Sequence, residues 1–368
     1  MKKEIELKMR GEIKRLTNKT FKFDERVREG WFSAVYFLKT KAIAEKYKRD
    51  ELVTMQFFQK THAVLCGTDE VIALIKTFAA NPEELEIHSL EDGNKIEPFE
   101  TVLTITGPYQ NFGFLEGIID GIFARRTSVA TNVYNVVKAA RKSGIQKPVI
   151  FMGDRDDHFT QQAGDGYAAY IGGSKAQATH AMHEWWGKKG IGTMPHALIQ
   201  LFNGDLVAAT RAYQETFPED DLMALVDYNN DVITDSLKVA RVFKDELKGV
   251  RIDTSNSMVD QFFCRNPEVM GSFDPRGVNP ALIFALRDAL DLEGFQHVKI
   301  LASGGFTAER IEEYESQQVP VDMYGVGSSL LKIHIGFTGD NVKINGEHEA
   351  KSGRRYRPNP RLEYIEHE

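Results

Sequence analysis

At 368 residues the chain is too long for one small core and suits a large barrel domain with a smaller partner, since single cores stop growing near ~250–300 residues. Apolar residues supply 42% and charged residues 27% of the chain, a globular balance that excludes disorder. A formal net charge of −7 excludes a nucleic-acid-binding surface, which needs clustered Lys and Arg on a basic background, but leaves small anionic ligands open.

In chain order, residues 1–16 are charged throughout and lack the apolar core of a signal peptide. Nowhere does an apolar run approach the ~20 residues that span a bilayer, so a soluble, cytoplasmic protein with no membrane partner is expected. Cys66 and Cys264 are too few and too far apart for a disulfide framework or a thiolate zinc site. From Arg26 to about Thr106, helical periodicity over Lys39–Tyr47 and Thr68–Phe78 mixes with β-rich runs at Thr54–Phe58 and Thr101–Thr106, which predicts a compact α+β unit. Gly107-Pro108 punctuates, and Phe114–Lys142 reads as one long helix. Beyond it, short apolar runs at Val149–Met152, Leu222–Val226, Val250–Ile252, Val298–Ala302 and Val321–Tyr324 are each followed by an amphipathic helical pattern. This βα repetition predicts parallel strands in a barrel or doubly wound sheet. From Leu331 the alternation fades into irregular strand and loop, expected to return to the first domain. The basic stretch Arg354, Arg355, Arg357 and Arg361 reads as a solvated edge. The predicted architecture is an irregular parallel α/β barrel with an open-faced α+β sandwich, divided at residues 1–115, 116–330 and 331–368.

Polar residues and glycines gather just after the predicted strands, where barrel enzymes build their sites. They comprise Gly153-Asp154-Arg155, Gly172-Gly173-Ser174, Gly192-Thr193-Met194-Pro195-His196, Asp227, Arg251-Ile252-Asp253-Thr254-Ser255, Ser303-Gly304-Gly305 and Gly325-Val326-Gly327. Gly304-Gly305, with Thr307 capping a helix from Ala308, offers backbone N–H groups suited to a phosphate, and Gly325-Val326-Gly327 ahead of the next helical run repeats the pattern. Arg155 and Arg251 each present a planar fork to an anion, or pair structurally with Asp154, Asp157 or Asp253. His196 follows Pro195 on a strand-like stretch, and with Asp227 and Asp253 nearby it suits an acid, a base or a phosphate acceptor. His180 and His183 stand at helical spacing without an evident third ligand and read as surface residues.

Tyr170-Ile171-Gly172-Gly173-Ser174, followed by Gly192-Thr193-Met194-Pro195-His196-Ala197-Leu198, resembles the nicotinate phosphoribosyltransferase family. The resemblance runs from Gly30-Trp31-Phe32-Ser33-Ala34-Val35-Tyr36-Phe37 through Gly107-Pro108-Tyr109 to Ala350-Lys351-Ser352-Gly353-Arg354. It implies a homodimer with shared sites, which joins nicotinate to phosphoribosyl pyrophosphate with Mg²⁺ and couples the step to ATP hydrolysis through a phosphohistidine. On that resemblance His196 is the phosphorylated histidine, and Asp227 and Asp253 orient it, the ribose hydroxyls or Mg²⁺. Arg155 meets the pyridine carboxylate or a nearby phosphate, Arg251 binds pyrophosphate or phosphate, and Ser174 and Thr193 line the substrate site. Ser303, Gly304, Gly305, Gly325 and Gly327 cradle the 5′-phosphate, and Tyr36 of the facing subunit stacks on the ring. The family's usual second arginine is Asp156 here, which keeps nicotinamide open as the substrate. A quinolinate enzyme and a non-catalytic barrel that binds phosphorylated metabolites are the other readings, and no structural zinc is expected.

Overall fold

The computed structural model describes residue 16, residues 20–271 and residues 273–366; all of the charged N-terminal stretch except Leu16 lies outside the described residues. In chain order the strands are β1 (Leu52–Phe58), β2 (Ala63–Val64), β3 (Glu86–Ser89), β4 (Lys95–Ile96), β5 (Thr101–Pro108), β6 (Val149–Phe151) and β7 (Ala176–Gln177). They continue with β8 (Leu222–Leu225), β9 (Leu247–Ile252), β10 (Lys299–Ala302), β11 (Met323–Val326), β12 (Thr338–Ile344), β13 (Glu347–His348) and β14 (Glu363–Tyr364). One sheet is antiparallel in the order β13-β12-β1-β5-β3-β14; a second is parallel in the order β7-β6-β11-β10-β9-β8; β2 and β4 form a small ladder.

The parallel sheet curls into a half-barrel, and the side chains of its strands alternate between the two faces with period two. Ile150, Met223 and Leu301 turn inward and, with Met152, Ala176 and Met323, fill the barrel interior. Their neighbours Val149, Phe151, Ala224, Val250, Ile252, Ile300, Ala302, Tyr324 and Val326 face outward into the main core, under helices that include Val232–Phe243, Pro280–Leu292 and Ala308–Ser316. Strands buried on both faces read as unbroken apolar runs, which is why the βα repetition was visible in the sequence.

The antiparallel sheet recruits both ends of the chain: β12 pairs with β1 and β14 with β3. The arginine stretch fastens this return. Arg354 pairs with Asp340 at 3.2 Å and Arg361 with Glu100 at 2.7 Å, while the Arg357 guanidinium lies 5.1 Å from the Phe58 ring centroid and 4.8 Å from that of Phe99. Three of the four arginines read as solvated are thus staples, Arg354 and Arg361 through ion pairs and Arg357 through its planar head over the aromatic sheet edge.

The helix Glu116–Ala139 joins the two domains, burying Ile119 and Phe123 in the sandwich core and Val129, Val133 and Val136 in the barrel core. Between these stretches sits buried Arg126, which donates to Glu70 at 2.8 Å and to Asp165 at 3.1 Å; Arg125 donates to Asp165 and Asp157, each at 2.7 Å. Gly164 is required by the close approach, since a Cβ there would lie 1.9 Å from the Arg126 Cζ.

A second buried network lies at the lower end of the barrel. The Glu315 carboxylate, fully buried, accepts from Lys147 Nζ at 2.7 Å, Tyr324 Oη at 2.6 Å and Ser143 Oγ at 2.5 Å. Removing one partner of a buried ion pair leaves the other charge uncompensated. Glu315→Ala is therefore expected to lower unfolding free energy by about 3–5 kcal/mol, measurable by denaturant titration.

At the start of the long helix, burial and the charges of Asp120 and Asp340 raise Glu116 to about 8. Burial likewise raises Asp120 to about 7; a hydrogen bond from the Gly339 backbone opposes the rise and Asp340 adds to it. A carboxyl whose pKa is raised by folding favours the native state in its protonated form, so its contribution is lost as pH climbs through those values. The melting temperature should accordingly fall between the ordinary carboxylate range near pH 4 and about pH 8, and the combined Glu116→Gln and Asp120→Asn variant should flatten that slope.

Candidate active site

Parallel pairing levels the carboxyl ends of the strands. Arg251 is in register with Leu225 and Leu301, and Ala302 with Tyr324; Val226 N donates to Arg251 O and Ser303 N to Ile252 O. The residues that follow, Asp227, Asp253, Ser303, Gly327 and Gly153, come out on one rim.

At its centre Arg251, Asp253 and Ser303 close a triangle. Arg251 Nη2 donates to Asp253 Oδ2 at 2.9 Å, Arg251 Nε to Ser303 Oγ at 3.1 Å, and Ser303 Oγ to Asp253 Oδ1 at 2.7 Å. Pairing with Asp253 was one of the two fates the sequence allowed Arg251, yet it leaves the Nη1 group uncommitted and aimed by two fixed bonds. The neighbouring loop is shaped by Gly304 at φ +96° and Gly305 at φ +70°, a backbone region that glycine enters without penalty. Arg310 braces that loop from behind, donating to Gly304 O at 3.0 Å and Gly305 O at 3.3 Å with its guanidinium over the Phe306 ring. Thr307 caps the following helix through Arg310 N, as the sequence predicted. Gly327 is held small for another reason: its missing Cβ would sit 2.9 Å from Asp156 Oδ2 and Met152 O. Gly325 is pressed in the same way by Met152 and Ser303.

Across the rim His196 Nε2 bonds to Asp227 Oδ1 at 3.0 Å, with the Tyr228 ring 6.4 Å away. Asp227 is largely buried and its pKa is raised, by burial first, with His196 opposing the rise and Asp253 adding to it. Asp227 and Asp253 follow the paired strands β8 and β9, in register through Leu225 and Arg251, which brings the two carboxylates to one edge. Their hard oxygens suit Mg²⁺, which takes one or two carboxylates and fills its remaining positions with water and phosphate. Two hydroxyls, Thr254 Oγ1 and Thr193 Oγ1, are buried without a protein partner beside these residues in sequence, and both have bonds to offer a ligand.

Several expectations are corrected. His196 opens the short helix His196–Leu201 rather than lying on a strand, because Pro195 in extended backbone ends the preceding loop. Ser174 is not at the rim. Its hydroxyl, fully buried, donates to Val149 O at 3.0 Å or Ala176 O at 3.1 Å, at the opposite end of the barrel where the chain enters β7, so Gly172-Gly173-Ser174 serves packing. Gly325-Val326-Gly327 leads into a single 3₁₀ turn, Ser328–Leu331, and offers backbone without a helix behind it. Arg155 is exposed in the loop after β6, and Asp157, one of the three carboxylates the sequence offered as a structural partner, is taken by Arg125. Tyr36, expected to serve a facing subunit, is 64% exposed near the start of the helix Val35–Lys46, beside exposed Trp31, Phe32 and Val35. His183 is buried, with Nδ1 2.9 Å from Thr179 O. The sequence reading missed Arg310 and Asn256, whose amide nitrogen would lie 2.8 Å from a Cβ on Gly305. For Arg310 a signal existed: it stands three residues after the capping Thr307, one helical turn from the glycine loop.

The chain thus joins an antiparallel sandwich to a parallel half-barrel, with a glycine loop and carboxylates at the strand ends. A family model described as the quinolinate phosphoribosyl transferase N-terminal domain matches residues 34–126. Nicotinate phosphoribosyltransferase pncB2 of Mycobacterium tuberculosis is 26% identical over 250 residues, which is 67% of this chain and 48% of that protein. The chain thus spans about half the length of the curated relatives it matches. The nicotinate-nucleotide pyrophosphorylase structure from Pyrococcus furiosus superposes with a TM-score of 0.79 at 28% identity, covering 94% of this chain and 85% of that one. Human nicotinic acid phosphoribosyltransferase superposes at 0.65 with 15% identity, covering 86% and 75%, a likeness of fold. By sequence the chain is similar to nicotinate phosphoribosyltransferases, and by fold to the nicotinate-nucleotide pyrophosphorylase and nicotinic acid phosphoribosyltransferase structures.

Proposed function

We propose that the protein transfers the phosphoribosyl group of phosphoribosyl pyrophosphate to nicotinate, giving nicotinate mononucleotide and pyrophosphate. The Arg251–Ser303–Asp253 triangle beside the Gly304-Gly305 loop carries this reading. The C1–oxygen bond to pyrophosphate breaks as the pyridine nitrogen bonds to C1, so positive charge develops on the ribose while negative charge gathers on the leaving group. A cation aimed at the leaving group and carboxylates at the ribose answer both charges, and the ring needs only placement. Asp227 and Asp253 would hold Mg²⁺, which neutralises pyrophosphate when bound. The loop glycines would take the 5′-phosphate, and Thr193 Oγ1 and Thr254 Oγ1 would bond to the substrate.

Arg155 is uncommitted and suits the single carboxylate of nicotinate. Quinolinate carries two carboxylates and needs a second free cation, which Asp156 does not supply; this weighs against the quinolinate reading that the N-terminal family match would otherwise favour. Coupling to ATP belongs to the same proposal. With Nε2 held by Asp227, the other ring nitrogen of His196 attacks the γ-phosphorus, an N–P bond forms, and ADP leaves with the bridging oxygen. A homodimer in cytoplasm, with Tyr36 reaching a facing ring, completes the reading; the exposed aromatic cluster around Tyr36 supports it.

The test is mononucleotide formation from phosphoribosyl pyrophosphate and Mg²⁺ with nicotinate, nicotinamide or quinolinate, each with and without ATP. Turnover of nicotinate alone, accelerated by ATP, is expected. Turnover of quinolinate with release of CO₂ would replace the proposal, and no turnover of any ring would leave the binding-only barrel in its place.

A further inference from the structure

The barrel has a second mouth. At the amino ends of β6, β10 and β11, opposite the rim, lies a cavity of about 660 Å³ lined by Ile145, Lys147, Pro148, Arg287, Gln318, Lys299 and neighbours that include Pro320 and Met323. It is not the back of the rim site. Met152, Met223 and Met323, with Ile150, Leu301 and Ala176, fill the barrel between the two, and β10 separates Lys299 below from Ser303 above by about 13 Å at ~3.3 Å per residue.

The wall is divided by chemistry. Ile145, Pro148, Val319, Pro320 and Met323 make an apolar surface suited to the face of a flat ring. Gln146 and Gln318 stand exposed on the lining, with both donor and acceptor to offer a heterocycle edge. Two donors remain for an anion. The Arg287 guanidinium is fixed by bonds from its Nη atoms to Val298 O at 2.8 Å and Phe295 O at 2.9 Å and by an ion pair with Asp291 at 2.7 Å, yet its Nε is buried without an acceptor. A buried donor left unpaired costs about 1–3 kcal/mol, which a ligand oxygen would recover. Lys299 Nζ donates to Asp322 Oδ1 at 3.3 Å while Asp322 Oδ2 accepts from Ile300 N, and the ammonium, 60% exposed, keeps its other two N–H groups for a phosphate. Lys147 is not available, being bound to Glu315.

We propose that this lower mouth is a second ligand site, which takes a mononucleotide-sized molecule with its flat ring against Pro148, Pro320 and Met323 and its anionic group on Lys299 and Arg287 Nε. The site stands apart from the reaction assigned to the rim and does not rest on it. Its volume falls within the range of small-molecule pockets.

Titration calorimetry with AMP tests this on the whole chain, with adenosine and inorganic phosphate as separate arms. Lys299→Glu and Ile145→Asp alter exposed positions at the mouth, and Arg251→Ala alters the rim. Lys299→Glu should weaken AMP about tenfold or more, because it reverses the charge at the phosphate, while adenosine binding changes little; Ile145→Asp should weaken both. Arg251→Ala should leave this component intact. The proposal is overturned if AMP does not bind, if neither mouth variant alters its affinity, or if Arg251→Ala alone abolishes binding. Phosphate binding equal to that of AMP would also remove the ring from the recognition.

Discussion

Replacing Arg251 with alanine is expected to lower kcat/KM for nicotinate mononucleotide formation by about 10²–10³-fold, or ~3–4 kcal/mol of transition-state stabilisation. The magnitude follows from geometry. The guanidinium is fixed by Asp253 at 2.9 Å and Ser303 at 3.1 Å, so its remaining N–H groups need no reorganisation when charge builds on the leaving pyrophosphate. Alanine removes that cation and also frees the Asp253 carboxylate, which then repels the incoming phosphates. Arg251→Lys should recover little, because a single ammonium cannot bond to Asp253 and Ser303 in this fork and still face the ligand. The loss should fall on kcat more than on the nicotinate KM, since the ring does not meet this residue. Steady-state kinetics with each substrate varied in turn checks this, with thermal unfolding to confirm that the variant folds. Unchanged kcat/KM would make the triangle a structural ion pair and move the phosphate chemistry elsewhere on the rim.

The parts of the molecule legible in the sequence were those governed by local pattern. Thr68–Phe78 was read to the residue because Gly67, acidic residues in the first turn and a sustained apolar face all act within one helix. Asp227, Asp253 and Ser303 were placed on one rim because each follows a short apolar run, and parallel register does the rest. The failures lie where distance in sequence hides proximity in space. Ser174 looked like another strand-end residue, but β7 is only two residues long and carries no periodic signal, so nothing revealed that the chain enters the sheet there rather than leaving it. The strand placed at Val321–Tyr324 is shifted, since apolar Val319 and Val321 mimic a strand start that Met323–Val326 makes. The Arg125–Arg126 network was invisible for the same reason: its acidic partners Glu70, Asp157 and Asp165 stand 32 to 56 residues away, and only the crossing of three helices and the loop after β6 brings them together.

The His196–Asp227 pair makes the other large prediction. His196→Ala should abolish ATP hydrolysis and ATP stimulation, a loss at least as great as the ~10²–10⁴-fold given by a positioned acid or base, while phosphoribosyl pyrophosphate still binds through Arg251 and the glycine loop. Asp227→Asn should retain the fold but impair the same activity, because an amide at 3.0 Å no longer stabilises a charged imidazole. The pH dependence distinguishes the pair from an accidental contact. Burial raises Asp227 above the ordinary carboxylate range, and protonation there removes the acceptor that holds the His196 ring. ATP-coupled turnover should therefore fall as pH drops through that raised value, at a higher pH than an exposed aspartate would give. In Asp227→Asn this acid limb should disappear from the residual activity. Phosphohistidine trapping with labelled ATP across pH 4.5–8, read beside mononucleotide formation without ATP, separates the two roles. An acid limb that persists in Asp227→Asn would assign the titration to another group, and labelling that survives His196→Ala would move the phosphoryl acceptor off this histidine.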